Sequence, residues 1–216
     1  GLDVALGGVP AYSTLRKFND PNLNTMMRWD DLNLVSTLFH QLAHQVLYIK
    51  DDTAFNEYFA TAVEEIGIER WLAANGIQED MARYRAQKEQ HRRFVELVNA
   101  AKTDLADYYA RDVDPAARRD LKSARLEQLS SDVRAALKAA GRNVNHWLTG
   151  DLNNARLLPM SLYDGQVPAF LALYADCDSE LECLYEQARK IAKFDPAARQ
   201  ARLDALKVGQ ERARGD

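Results

Sequence analysis

The feature that most constrains this chain is a pair of histidines spaced four residues apart, followed at a short distance by a glutamate. His40 and His44 stand close together, and Glu57 follows thirteen residues after the second histidine. Histidines at this spacing lie one turn apart on one side of a helix, so both can bind the same metal ion. Two imidazoles and one carboxylate leave a fourth coordination position for water, which is typical of catalytic zinc sites. The spacing therefore predicts two packed helices that carry one zinc ion.

One position departs from the usual H-E-x-x-H pattern, because residue 41 is glutamine. In zinc peptidases the carboxylate at this position accepts a proton from the attacking water and passes it to the leaving amine. An amide has nearly the same shape but cannot take up that proton. Since Gln41 is not a ligand, we expect metal binding to survive and hydrolysis to fall by roughly 10²–10⁴-fold or more.

The histidine pair lies on a helix that Asp30 or Asp31 is expected to cap and that runs to about Tyr48. At 100° per residue the helix has one apolar stripe, formed by Val35, Leu38, Leu42 and Val46. His40 and His44 fall outside this stripe. A single histidine is more often a hydrogen-bonded polar residue than a metal ligand. Two histidines one helical turn apart, both outside the apolar stripe, favour a metal site.

Glu57 belongs to a second predicted helix, capped by Asp52 and running to about Gly67. The segment before it is long enough only for a reversal, so this helix should pack antiparallel to the first. A helical glutamate is usually a solvated surface acid. The reversal instead brings Glu57 back toward the histidines, and Thr61, one turn later, is a candidate hydrogen-bonding partner behind the ligand.

The N-terminal residues 3–15 alternate in polarity and are predicted to form one or two short strands. Gly7 and Gly8 mark a turn or a close backbone approach, and Pro10 favours an edge position. Such an edge could pair with an extended peptide substrate. A purely structural hairpin is an equal alternative.

The rest of the chain is mostly helical. Residues 77–112 and 114–138 read as a charged helical hairpin, and the tail from 179 to about 209 is helical again. Residues 141–168 are rich in amides and turn formers. The fold class is therefore mainly α with a short N-terminal β segment. The predicted division is 1–76 with strands and the zinc-binding helix pair, 77–140 with the hairpin, and 141–216 completing the same catalytic domain.

Composition excludes several classes of protein. The 216 residues carry a formal net charge of −4 with both signs interspersed, which gives no footprint for nucleic acid or an anionic membrane. No apolar run approaches the roughly 18 residues of a membrane span. The chain opens without methionine or a secretory signal, and we expect it to be an expressed or processed fragment.

The two cysteines, Cys177 and Cys183, are six residues apart. On one continuous helix their Cα atoms would be separated by about 9 Å, which is beyond disulfide reach. A break near Asp178 and Ser179, such as a helix N-cap there, would allow a bridge. The sequence leaves a disulfide and two buried thiols equally open.

Three stretches of the chain resemble the bacterial putative aminopeptidase family: residues 7–15, 40–61 and 153–170. The likeness covers almost the whole chain, and its central stretch is the most specific. It implies a gluzincin-type fold with one zinc ion per chain, held by His40, His44 and Glu57. Gln41 stands where the family has glutamate, and we interpret it as an engineered inactivating substitution in preference to a natural pseudoenzyme.

The resemblance also suggests groups that would meet a peptide or protein substrate. Tyr163 is the candidate to stabilise the oxyanion, with His146 and Tyr109 as weaker candidates. Substrate contact is assigned to Gly7 and Gly8, and to Asn153 and Asn154 as a second pair. The segment around Gly7 has no acid to hold a free amine, so an endopeptidase stays open beside an aminopeptidase.

By the same resemblance we expect the protein to belong to the bacterial cell envelope. It implies a lipoprotein-type export signal and a further N-terminal segment, hence a periplasmic, lipid-anchored protein. Two other functions remain as alternatives. One is a natural pseudo-peptidase that binds peptides or proteins, and the other is a helical interaction module in which the histidine pair is coincidental.

Overall fold

A computed structural model describes residues 3–5, 26–112, 114–141, 152–157 and 165–215 of the chain, and these residues are mainly helical. Their helices are α1 Asp31–Val46, α2 Thr53–Ala74, α3 Gln78–Ala110, α4 Pro115–Ala139, α5 Asn154–Leu157, α6 Val167–Asp176, α7 Leu181–Ala192 and α8 Pro196–Gly215, with a 3₁₀ turn at Met26–Arg28. The predicted mainly helical class is confirmed. Of the predicted β segment only residues 3–5 are described, and they belong to no strand.

The chain divides into two compact units. The first comprises Gly1–Gly7 and Ala82–Ser161 and is called the hairpin unit; the second comprises Gly8–Met81 and Leu162–Asp216 and is called the histidine unit. No helix within the described part of either unit is long and apolar enough to cross a membrane.

The histidine unit is built around apolar faces of α1, α2, α6, α7 and α8. Phe59, Phe170 and Leu184 are completely buried at its centre. The Phe170 ring packs edge-to-face on Phe55 and Phe59, with centroids 5.2 and 5.7 Å away. Burial of each such aromatic contributes about 1.5–3 kcal/mol to folding. This core holds α2 in place and thereby supports the residues on its other face.

Helix α2 is longer than predicted. The sequence pattern predicts an end at about Gly67, but the helix continues to Ala74 and stops where Gly76 adopts a positive φ of 68°. Gly67 is needed for packing instead, because a Cβ there would lie 2.8 Å from the Phe39 ring of α1. A glycine inside a helix can thus permit close approach of a neighbour without ending the helix.

The hairpin unit contains α4 and most of α3, the two long helices predicted from the charged region. Asp114 caps α4 by accepting from the backbone N–H groups of Ala116 and Ala117, and Pro115 occupies the first turn, as predicted. The apolar core of the hairpin unit contains residues of α3, α4 and α5: Val98, Ala101, Leu105, Leu126, Leu129, Val133 and Leu157.

Cys177 and Cys183 form a disulfide, with their Cα atoms 5.7 Å apart. The predicted break between helices is present, because α6 ends at Asp176 and α7 begins at Leu181. Asp178 and Ser179 adopt positive φ values of 53° and 61° there. The break therefore comes from a left-handed turn. The N-cap predicted near Asp178 and Ser179 falls one residue later, at Glu180, and makes no side-chain cap bond.

Candidate metal site

Helix α1 brings the two histidines together on one side. Asp30 starts the helix by accepting the backbone N–H of Asn33 at 3.0 Å. From there the helical register places His40 and His44 one turn apart, with their ring centroids 4.9 Å apart. Their Nε2 atoms are 3.2 Å from each other, and the His44 side chain is buried. Both rings thus turn a nitrogen toward the same point.

Glu57 returns to that point from the second turn of α2. Its Oε2 atom lies 3.4 Å from Nε2 of His40, and its Oε1 atom lies 3.6 Å from Nε2 of His44. One donor atom from each of the three residues falls within 4.8 Å of the other two. The predicted reversal therefore does bring Glu57 beside the histidine pair.

This donor set suits zinc. Imidazole nitrogen and carboxylate oxygen are both ordinary zinc ligands, with metal–ligand distances of about 2.0–2.2 Å. Donor atoms that bind one ion at such distances must lie roughly 3–3.5 Å apart in a tetrahedral arrangement. The 3.2 Å between the two Nε2 atoms agrees with that requirement, and each histidine has a different oxygen of Glu57 nearby, at 3.4 Å for His40 and 3.6 Å for His44. The three residues could accordingly hold one metal ion.

The electrostatics of the cluster favour a cation. Burial opposes protonation of His40, but the carboxylates of Glu57 and Glu64 outweigh it and raise the pKa of His40 to about 9. Burial and the neighbouring charge of His40 lower the pKa of His44. The hydrogen bond from His40 lowers the pKa of Glu57. The carboxylates of Glu57 and Glu64 thus favour positive charge on His40, and a metal ion would compete with the proton on that ring.

Glu64 is a functional candidate that sequence reasoning missed. Its Oε2 atom accepts a hydrogen bond from Nδ1 of His40 at 3.2 Å, and its Oε1 atom accepts from the Ser36 hydroxyl at 2.6 Å. Glu64 follows Glu57 by seven residues and so lies two turns later on the same face of α2. That spacing is a signal in the sequence for a second carboxylate near the histidines, whereas the prediction from sequence places Thr61 behind the ligands. Thr61 is buried on α2, and its predicted hydrogen bond stays a prediction.

The other predicted residues are placed as follows. Gln41 is half-buried on α1, directly after His40. Asn153 donates to the carbonyl of Val4 at 3.1 Å within the hairpin unit. The Asn154 side chain hydrogen-bonds the hydroxyl of Tyr109 in the same unit. Both asparagines thus have contacts that support local structure, and their role with substrate stays a prediction. Gly7, Gly8, Tyr163 and His146 lie outside the described residues.

Fold and site together define a mainly helical protein with a half-buried cluster of two histidines and one glutamate that could hold a metal ion. The chain belongs to the family described as "Putative aminopeptidase", whose model matches residues 1–203. The resemblance seen in the sequence is therefore confirmed. Searches among curated proteins and among solved structures find no match.

Proposed function

We propose that the protein is a zinc-dependent metallopeptidase of gluzincin type, in a form that is inactive or nearly so because residue 41 is glutamine. The observation that carries this proposal is the convergence of His40, His44 and Glu57, in a chain of an aminopeptidase family. One zinc ion per chain is the expected cofactor.

The residues around the cluster have distinct tasks in this proposal. His40, His44 and Glu57 would hold the zinc ion, which would supply a Lewis acid for the scissile carbonyl and would lower the pKa of a bound water. Glu64 holds the Nδ1–H of His40, which leaves Nε2 of that ring available as a ligand. Gln41 can orient a water by hydrogen bonding but cannot take its proton. Tyr163 is proposed to donate a hydrogen bond to the oxyanion.

The proposed substrate is a peptide or protein. The four residues assigned to substrate contact, Gly7, Gly8, Asn153 and Asn154, remain part of this proposal. Release of N-terminal residues requires an acid that binds the free amine, and internal cleavage does not. The family description favours the aminopeptidase.

We propose the bacterial cell envelope as the location, with a lipid anchor supplied by a further N-terminal segment. The Cys177–Cys183 disulfide supports this location. Structural disulfides persist in oxidising compartments such as the bacterial periplasm and are rare in a reducing cytosol.

Metal binding is tested by zinc analysis of the purified chain and of three variants, His40→Ala, His44→Ala and Glu57→Ala. We expect one zinc per chain in the parent protein and loss of tight binding in each variant. His91→Ala is the matched control, because His91 is an exposed histidine on α3. A parent protein that stays metal-free with excess zinc would refute the metallopeptidase and favour the interaction module.

Catalysis is tested in the Gln41→Glu variant with peptide and aminoacyl reporter substrates. Restoring a general base should raise the hydrolytic rate by roughly 10²–10⁴-fold. The double variant Gln41→Glu/His44→Ala is the control and should lose that activity. Zinc and peptide binding without hydrolysis after Gln41→Glu would instead favour the natural pseudo-peptidase.

A further inference from the structure

We infer that Asn56 is a positioning residue for the metal site, since it fixes the register between the two helices that carry the ligands. This inference rests on the proposed function. Asn56 is only 2 % exposed and directly precedes Glu57. Its Nδ2 atom donates to the carbonyl of Ile49 at 2.8 Å, and its Oδ1 atom accepts the backbone N–H of Ile49 at 2.8 Å. The Asn56 amide therefore hydrogen-bonds both the backbone N–H and the backbone carbonyl of Ile49, which lies in the connection between α1 and α2.

These two hydrogen bonds matter because the connection between α1 and α2 is short. Helix α1 ends at Val46 and α2 begins at Thr53, so Ile49 lies midway along the connection. Holding Ile49 against the first turn of α2 sets how far that helix advances past α1. A slip of one residue along a helix shifts a side chain by about 1.5 Å and rotates it by about 100°. Such a slip would remove Glu57 from its present 3.4 and 3.6 Å distances to the histidines.

A second set of hydrogen bonds joins the start of α2 to the C-terminal helix α8. Asp52 caps α2 by accepting the backbone N–H of Phe55 at 3.0 Å, and its other oxygen accepts from the buried Arg199 of α8. Arg199 also donates to the carbonyls of Ala192 and Phe194, at 3.2 and 2.9 Å. The start of α2 is thus held to α8, and Asn56 holds it to the reversal.

A merely structural role for Asn56 gives a different expectation. If its amide only satisfied the backbone of a buried turn, its loss would lower stability and leave the metal coordination unchanged. A positioning role requires that the bound metal itself reports the change. Metal affinity and the visible spectrum of bound cobalt therefore separate the two, because cobalt absorption depends on the number and arrangement of ligands.

The experiment compares the full chain with Asn56→Ala, Asn56→Asp and Leu206→Ala. Aspartate keeps the acceptor for the Ile49 N–H but cannot donate to its carbonyl. Leu206 is a buried residue in the core of the same unit and serves as the matched control for lost stability. Zinc affinity is measured by competition with a chelator, cobalt spectra are recorded on each protein, and metal-free stability is measured by urea unfolding.

We expect Asn56→Ala to weaken zinc binding by roughly 10–100-fold and to alter the cobalt spectrum, with Asn56→Asp between it and the parent. Leu206→Ala should bind zinc within about twofold of the parent and keep its cobalt spectrum. A parent chain that binds no zinc would overturn the proposed function itself. Normal binding in the parent with unchanged affinity and spectrum in Asn56→Ala would overturn only this inference. If Asn56→Ala does not fold, an Asn56→Asp protein with parental affinity and spectrum overturns it equally.

Discussion

Removal of the Glu64 carboxylate gives the sharpest test of how the histidine ligands are supported. The Glu64 and His40 side chains are only 15 % and 16 % exposed, and they are joined at 3.2 Å. In Glu64→Ala the Nδ1–H of His40 loses its acceptor, and little water is available to replace it. The Ser36 hydroxyl loses its bond to Glu64 as well.

The expected cost follows from the behaviour of such outer carboxylates. Loss of a group that orients a ligating histidine lowers metal affinity by about 10–100-fold, or about 1.4–2.7 kcal/mol. The low exposure of the pair favours the upper half of this range. Competition from protons has the opposite effect on zinc affinity at pH 7. Burial lowers the pKa of His40, but Glu57 and Glu64 outweigh burial and raise this pKa to about 9, so that in the parent protein the metal must displace a proton from His40. The difference between parent and variant should therefore widen as the pH approaches 9.

Chelator competition at pH 7 and pH 9 measures this effect. Glu64→Gln keeps an acceptor oxygen without the charge and should lose about tenfold or less in zinc affinity. Glu69→Ala removes an exposed carboxylate from the same helix and is the control for net charge. If Glu64→Ala bound zinc within twofold of the parent at pH 9, the bond to His40 would not support the site and the reasoning would be refuted.

Three further predictions concern stability. The metal-free protein should become less stable as the pH rises from about 6.5 to about 9, because folded His40 keeps a proton there that the unfolded chain has released. Urea unfolding in chelator should show this loss, and Glu57→Gln should reduce it. Phe170→Ala leaves a cavity beside Phe55 and Phe59 and should cost about 3–5 kcal/mol in the same assay, whereas a loss below 1 kcal/mol would contradict the packing. Gly67→Ala should cost about 1–3 kcal/mol by forcing the Phe39 ring to move, and a stabilised protein would show that this contact is not tight.

Local features were predictable because they depend on residues close in the chain. Asp30, Asp52 and Asp114 cap the helices that follow them, as predicted. Each cap needs only a side-chain oxygen within reach of backbone N–H groups two or three residues later. The histidine register is equally local, since helical geometry alone places His40 one turn from His44.

Features that join distant residues needed the folded structure. A glycine at position 67 predicts a helix end, and only the Phe39 ring from the neighbouring helix shows why a glycine stands inside α2. The sequence left the disulfide open, because the distance between Cys177 and Cys183 depends on backbone angles that composition does not specify.

The candidate metal site likewise combines local features, which the sequence predicts, with contacts between distant residues, which it does not. The sequence by itself determined which three residues could bind a metal and that a short reversal could bring Glu57 to the histidines. The tertiary structure decided that Glu64 accepts a hydrogen bond from Nδ1 of His40 and that Asn56 hydrogen-bonds the backbone of Ile49. Helical spacing is a property of one segment, whereas a hydrogen bond between segments depends on how far and at what rotation two helices meet, which the packed core determines.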